Sequence, residues 1–581
     1  MRAPAGARLF ATLPLPAETV MILPKRLGLT LVVLVPLILL VAAPLLSILG
    51  QTLGSAAWSD VLVSRLSRNL TWEPLGNTMI LGLGTAIGSL LIGGFFAWLV
   101  VMTDVPLART LGVLATLPFM IPSFATALAW SSLFRNSRTG GSTGMLAGLG
   151  FDSPDWLAWG LLPTLFVLIA QYYALVFTVV AAALASLNGD AVEAAEMSGA
   201  PRRRILLGIV LPMVTPALLA GASLAFAAAV SNFAAPALMG LPVRMQTLST
   251  RLFGMIEIGQ AERGYVLAIL LILVSAALLG VGNRLLVGRR SFATISGKGA
   301  RRHRMKLGRA RWPLCCTALA ICFVTTLGPI LLLVAASLAP QGSALFSDWT
   351  LQFWTGAADP DFARGQAGIF RNPQIVKALV ITLGLGVAVA VAAVILGVLA
   401  ALVLTGPRIR VLTETVNQLS FLPMLLPGIA FGAAFIVLYG AGFGPVPGLY
   451  GTPLLLGLAL TAASLPFAVQ TGRATVAQIA GDIDEAARMT GASFQRRLVA
   501  ITLPLASRGL IASALLVFVN VVGDLAIVAL LYTPDTPVLS VLSYRYASDG
   551  FQQFANAITV VILAISVAAT ALAQLLKGRR P

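Results

Sequence analysis

The chain has 581 residues, of which 58% are hydrophobic and only 10% charged; its mean hydropathy of +0.93 excludes an ordinary water-soluble domain and makes lipid its main solvent. The 39 Lys and Arg outnumber the 21 Asp and Glu to give a net charge of +18, but they lie in short segments between apolar runs, a pattern of membrane orientation and not of nucleic-acid binding. Cys315, Cys316 and Cys322 share one apolar run and His303 is the single histidine, so neither a disulfide framework nor a zinc site can be assembled.

In chain order, a segment over 1–26 carries Arg2, Arg8, Lys25 and Arg26 ahead of an apolar run too long for a signal-peptide core. The run reads as an uncleaved first crossing with the N-terminus in the cytoplasm. A bilayer core about 30 Å thick takes roughly 20 apolar helical residues. Runs of that length predict crossings at 27–49, 78–101, 111–134, 161–183, 213–235 and 265–287, forming a first repeat over 27–287. A basic linker over 288–313 follows. A second repeat over 314–576 has crossings at 314–338, 379–404, 416–439, 454–476, 509–531 and 555–576, and residues 577–581 form a basic tail. The runs are apolar on every face, which favours helices over an alternating barrel strand. The expected fold is an all-α polytopic membrane protein of about twelve transmembrane helices, with linker and both termini cytoplasmic. Arg65, Arg68, Arg244 and Arg251 run against that charge rule, because they fall in predicted outer loops. Trp58, Trp72, Trp156, Trp159, Trp349 and Trp354 fall there too and read as anchors at the lipid boundary. Gly82, Gly84, Gly88, Gly384 and Gly386 read as close helix contacts.

An internal repeat sets the architecture. Asp190-Ala-Val-Glu193-Ala194-Ala195-Glu-Met-Ser-Gly199 runs on to Pro212, and Asp482-Ile-Asp-Glu485-Ala486-Ala487-Arg-Met-Thr-Gly491 runs on to Pro504, each match 292 positions apart. Leu117-Pro118-Phe-Met-Ile-Pro122 matches Leu422-Pro423-Met-Leu-Leu-Pro427 at a distance of 305. The first half therefore holds 13 additional residues between its two motifs, expected in the loop around 135–153. Order and direction are kept, so the halves are two parallel six-helix repeats.

Asp190 and Glu193 suit the capped start of a short helix, the alanines give it a smooth surface, and Gly199 permits the left-handed turn that ends it. Arg202, Arg203 and Arg204 hold the segment on the cytoplasmic side, and Pro212 is expected to mark re-entry into the bilayer. Asp482, Glu485, Ala486, Ala487, Gly491 and Pro504 repeat the device. Glu-Ala-Ala, with Gly six residues after the Glu and Ile-x-Leu-Pro beyond, resembles the signature loop of binding-protein-dependent ABC importer permeases. The resemblance implies that each loop is a coupling helix docked on one of two cytoplasmic ATP-binding subunits, with Glu193 and Glu485 in contact and Gly199 and Gly491 allowing the bend. It also implies a periplasmic substrate-binding protein and a place in the bacterial inner membrane. Fused halves are most similar to permeases of ferric-iron, thiamine and aminoethylphosphonate importers, and the stretch Ser231-Asn-Phe-Ala-Ala-Pro-Ala-Leu-Met-Gly-Leu-Pro242 looks most like the iron group.

Asn232 and Asp524 lie 20 residues after Pro212 and Pro504, about 30 Å along a helix, in equivalent places of the fifth crossings near the outer mouth. Pro118, Pro122, Pro423 and Pro427 are expected to bend the third crossings. All six are candidates for the translocation pathway. No Gly-x-x-x-x-Gly-Lys-Ser/Thr loop occurs, so no cofactor is expected on this chain, and ATP with Mg belongs to the partner ATPase. A twelve-helix secondary transporter would not need paired loops. A membrane-embedded enzyme would need clustered Asp, Glu or His.

Overall fold

The computed structural model describes residues 17–140, 143–187, 195, 197–287, 305–340, 349–360, 365–406, 410–443, 446–479, 487 and 489–578. Helices dominate them, beside one two-residue strand pair, Gly442–Phe443 with Val446–Pro447. The first half comprises α1 (Leu27–Thr52), α2 (Arg68–Met102), α3 (Ala108–Met120), α4 (Ser123–Phe134), α5 (Leu161–Ser186), α6 (Arg203–Ser231), α7 (Ala234–Met239), α8 (Leu248–Glu257) and α9 (Ala261–Val287). The second comprises α10 (Gly308–Leu338), α11 (Pro373–Thr405), α12 (Arg410–Leu425), α13 (Gly428–Gly440), α14 (Pro453–Ile479), α15 (Leu498–Val522), α16 (Ala526–Leu531), α17 (Leu539–Ser548) and α18 (Gln552–Gly578). Each element of the first half returns nine elements later. Among the described residues ten helices are long and apolar enough to cross a membrane, and two bent pairs, α3 with α4 and α12 with α13, bring the number to twelve.

Five prolines share one local signature. Pro44, Pro74, Pro212, Pro329 and Pro504 each follow a wide five-residue turn, at Ile38–Ala42, Arg68–Trp72, Leu206–Val210, Phe323–Leu327 and Leu498–Thr502. Proline offers no N–H to the carbonyl four residues back and its ring crowds that carbonyl; lengthening the preceding bonds by one residue relieves both. Pro212 and Pro504 therefore do not start their helices. Their helices begin at Arg203 and Leu498, and the prolines sit inside α6 and α15.

Small residues set the helix spacing. A Cβ on Gly93 would lie 2.5 Å from the Tyr173 carbonyl oxygen, and one on Gly397 2.7 Å from the Ala468 carbonyl carbon, so α2 and α11 press backbone to backbone on α5 and α14. Gly82 and Gly386 meet Phe226 and Phe518, while Gly84 and Gly88 meet Leu165 and Ile169. Gly384 departs from the expected pattern: nothing lies within 4 Å of its added Cβ.

The halves exchange their first crossings. Helix α1 packs on α11, α12 and α13, and α10 packs on α3 and α4. Tyr439 Oη donates to the Leu39 carbonyl at 2.8 Å, and the Tyr173 and Thr325 hydroxyls lie 3.2 Å apart. Asn556 Nδ2 of α18 donates to Ser132 Oγ of α4 at 2.9 Å. At the end of the linker, Met305 pairs in parallel with Thr103, its N–H reaching the Met102 carbonyl at 2.8 Å, and Asp104 Oδ1 accepts the Leu307 N–H at 2.8 Å.

The extra residues of the first half fall between α4 and α5, where Asn136 organises an ordered hub. Its Nδ2 donates to the Ser153 carbonyl and Asp155 Oδ1, and its Oδ1 accepts from Trp159 Nε1 at 2.9 Å. Trp159 is therefore a buried structural residue and not a lipid anchor. Trp72, Trp156 and Trp349 are exposed.

Candidate coupling loops and pathway

Asp190, Glu193 and Ala194, with Asp482, Glu485 and Ala486, lie outside the described residues. The ends of both loops are described and match closely. The Ala195 carbonyl accepts the Ala200 N–H at 3.0 Å, and the Ala487 carbonyl accepts the Ala492 N–H at 3.1 Å. Between them Gly199 and Gly491 take φ of +76° and +78°. This six-to-one bond closed by a left-handed residue is the glycine stop expected of a short helix. An added Cβ would meet nothing within 4 Å at either glycine, so the requirement is backbone conformation alone. Reading the repeat for its polar residues overlooked Met197 and Met489. They are 89% and 87% exposed, the most exposed of the large apolar side chains described, and their shared place two residues before each glycine was the available signal.

The proline pairs do more than bend the third crossings. Pro118 lies in a tight turn at Leu117–Met120, Ile121 is extended at ψ 122°, and Pro122 precedes α4, so α3 and α4 meet at 92°. Pro423, Leu426 and Pro427 repeat the break at 114°. Two prolines four residues apart strip bonds from the same turn, and the helix stops instead of kinking.

Asn232 and Asp524 do not lie within the fifth crossings. Helices α6 and α15 end at Ser231 and Val522, and the two residues start the short helices beyond. Asn232 Oδ1 accepts the Ala235 N–H at 3.0 Å, and Asp524 Oδ1 accepts the Ile527 N–H at 2.9 Å. Their carbonyls accept from Ser249 Oγ at 3.0 Å and Ser540 Oγ at 2.7 Å. Thr78 and Thr382 Oγ1 accept the N–H of Leu248 and Leu539, each at 3.0 Å.

These turns converge on the broken crossings. Asn232 Nδ2 donates to Ser123 Oγ and Tyr172 Oη, both at 2.9 Å. A Cβ on Gly523 would lie 2.9 Å from Pro122 Cγ, which brings the break of the first half against the neighbour of Asp524; one on Gly428, just after Pro427, would lie 3.2 Å from Ala526 Cβ. Pro122, Pro427, Asn232 and Asp524 thus gather around α7 and α16, whereas Pro118 and Pro423 lie one turn back. Ser123 and Tyr172 were not singled out in the sequence; Ser123 could have been, as a good capping residue beside Pro122.

Two parallel halves, each with a broken third crossing, a short helix after the fifth and a glycine-stopped loop, define a polytopic membrane protein of repeated build. The chain belongs to the binding-protein-dependent transport system inner membrane component family, whose sequence profile covers residues 89–291 and again 393–580. It is thus a multi-pass inner-membrane transport subunit of an ABC importer. Similar proteins include the "Probable ABC transporter permease protein y4fN" of Sinorhizobium fredii, 27% identical over 91% of this chain and 92% of that one. The ferric transport system permease protein FbpB of Actinobacillus pleuropneumoniae is 21% identical over 78% of this chain and 64% of its own length. The sulfate transport system permease protein CysT of Salmonella typhimurium is 28% identical over 42% of this chain and 88% of its own.

Proposed function

We propose that this permease conducts ferric iron, delivered by a periplasmic binding protein and driven by two ATP-binding subunits docked on its Glu-Ala-Ala loops. The observation that carries the substrate is the match to a ferric permease across 78% of this chain, more than either half can supply. The carboxylate of Asp524 beside the broken helices suits a cationic solute.

In this reading Asp190, Glu193, Ala194 and Ala195 form one lever and Asp482, Glu485, Ala486 and Ala487 the other, both cytoplasmic. Met197 and Met489 fill apolar clefts on the ATPase, and Gly199 and Gly491 turn the chain back toward α6 and α15. Pro212 and Pro504, with the wide turns before them, lie between lever and pathway. The Pro122 and Pro427 breaks, Asn232 and Asp524 line the passage. An oxyanion is the second reading, because half-length relatives named for sulfate and 2-aminoethylphosphonate transport match 42% and 37% of this chain.

Vesicles holding the permease, its partner ATPase and a ferric-iron-binding periplasmic protein, with sulfate- and phosphonate-binding proteins as controls, test both. ATP-dependent uptake of radiolabelled ferric iron, with none of sulfate or 2-aminoethylphosphonate, is expected. Uptake of an oxyanion and none of iron would reverse the assignment.

A further inference from the structure

The arginines that oppose the charge rule acquire a place in the fold. Helix α2 starts at Arg68 and spans 35 residues, about 50 Å, and α6 leaves the Gly199 loop and spans 29 residues before Asn232. The start of α2 and the α7–α8 connection therefore sit at the end of the bundle opposite the Glu-Ala-Ala loops. There Asn69, Glu73, Pro74, Arg244, Gln246 and Arg251 line a cleft of about 230 Å³.

The cleft is built, and its charge is uncompensated. Gln246 is fixed by Asn77, whose Nδ2 donates to its carbonyl at 2.9 Å, and Gln246 Oε1 accepts from Arg251 Nη1 at 2.9 Å. Arg251 Nε is buried and makes no hydrogen bond; burial pushes its guanidinium down from its ordinary value. Arg244 holds a left-handed φ of +60°, which a side chain other than glycine adopts at a cost. Among the described residues the ion pairs are Arg138 with Asp155 and Arg263 with Asp60, so neither cleft arginine is in one, although Glu73 lines the same space. Two arginines and one carboxylate leave one positive charge.

The second half has no counterpart. The bonds from Leu248 and Leu539 to Thr78 and Thr382 fix the register. In that register Glu73, Arg244, Gln246 and Arg251 correspond to Lys377, Asp535, Pro537 and Leu542.

We infer that the cleft receives a carboxylate side chain of the soluble binding protein, and that its presence in one half alone fixes which way round that protein sits. The inference rests on the binding-protein partnership proposed above. Guanidinium forks offer paired N–H donors to a carboxylate, a half-desolvated charge gains more from a partner than a hydrated one, and a charge at a docking surface also speeds encounter.

The test uses the whole transporter in nanodiscs and the periplasmic binding protein that supports uptake in the vesicle experiment. R244E/R251E is expected to weaken binding at least about ten-fold, mostly through a slower and less salt-sensitive association, while R244K/R251K, which keeps both charges but loses the paired donors, weakens it less. Co-purification of the ATPase subunit verifies folding. An Asp or Glu changed to Arg on the binding protein should restore affinity to the reversed variant. Unchanged affinity in R244E/R251E overturns the inference. No binding to the wild-type transporter would instead sink the partnership itself.

Discussion

At the same turn, the first half carries Asn232 and the second Asp524. The backbones around them agree bond for bond, from the capped short helix to the serine on the carbonyl and the threonine that holds the next helix. The side chains diverge. Asn232 is tied to Ser123 and Tyr172, whereas the matching positions of the second half hold Gly428 and Ser464. Duplication has kept the devices that place and stop helices and has relaxed the polar groups beside them.

The largest expected effects break the shared skeleton. G397V sets a branched side chain against the Ala468 backbone and should leave no monodisperse protein on size-exclusion chromatography; G384V, at the open glycine, should elute as wild type. Next is coupling: E193R/E485R should reduce co-purified ATPase to about a tenth or less, with each single variant intermediate, as expected when two equivalent docking sites share the load. M197D/M489D should act the same way, since a charge replaces an apolar anchor. Third is the difference between the halves. D524N makes both turns neutral and should slow iron uptake at least about ten-fold if the carboxylate stabilises the passing cation, and uptake at the wild-type rate would remove Asp524 from the pathway. Y172F deletes one hydrogen bond from the first half alone and should cost about 1 kcal/mol, read as a lowered melting temperature. Most local are G199A and G491A, whose strain at a left-handed residue, roughly 1–2 kcal/mol, stays within one loop and is measurable as faster amide exchange there.

Much of this was legible before any coordinates. Crossing number and duplication survive in hydropathy and in motifs long enough to resist chance, and the glycine stops are legible because one residue type serves that conformation best. The breaks were legible only in part. One proline kinks a helix, but what Pro118 and Pro122 do together depends on Ile121 adopting an extended conformation. That the helix holding Pro212 starts earlier is not legible in the sequence, because a polar loop and a helix start look alike where arginines open the helix. The contact of Pro122 with Gly523, the cleft around Arg251 and the exchange of first crossings join positions far apart in the chain, and no local periodicity records such pairings.

The exchange has its own consequence. Because α1 lies on α11, α12 and α13, and α10 on α3 and α4, each half holds an arm of the other in a mutual handclasp. Their union is a matter of interlocked shape, and the polypeptide bond between them is a convenience of manufacture: two separately translated pieces would still have to meet before either could finish its own surface.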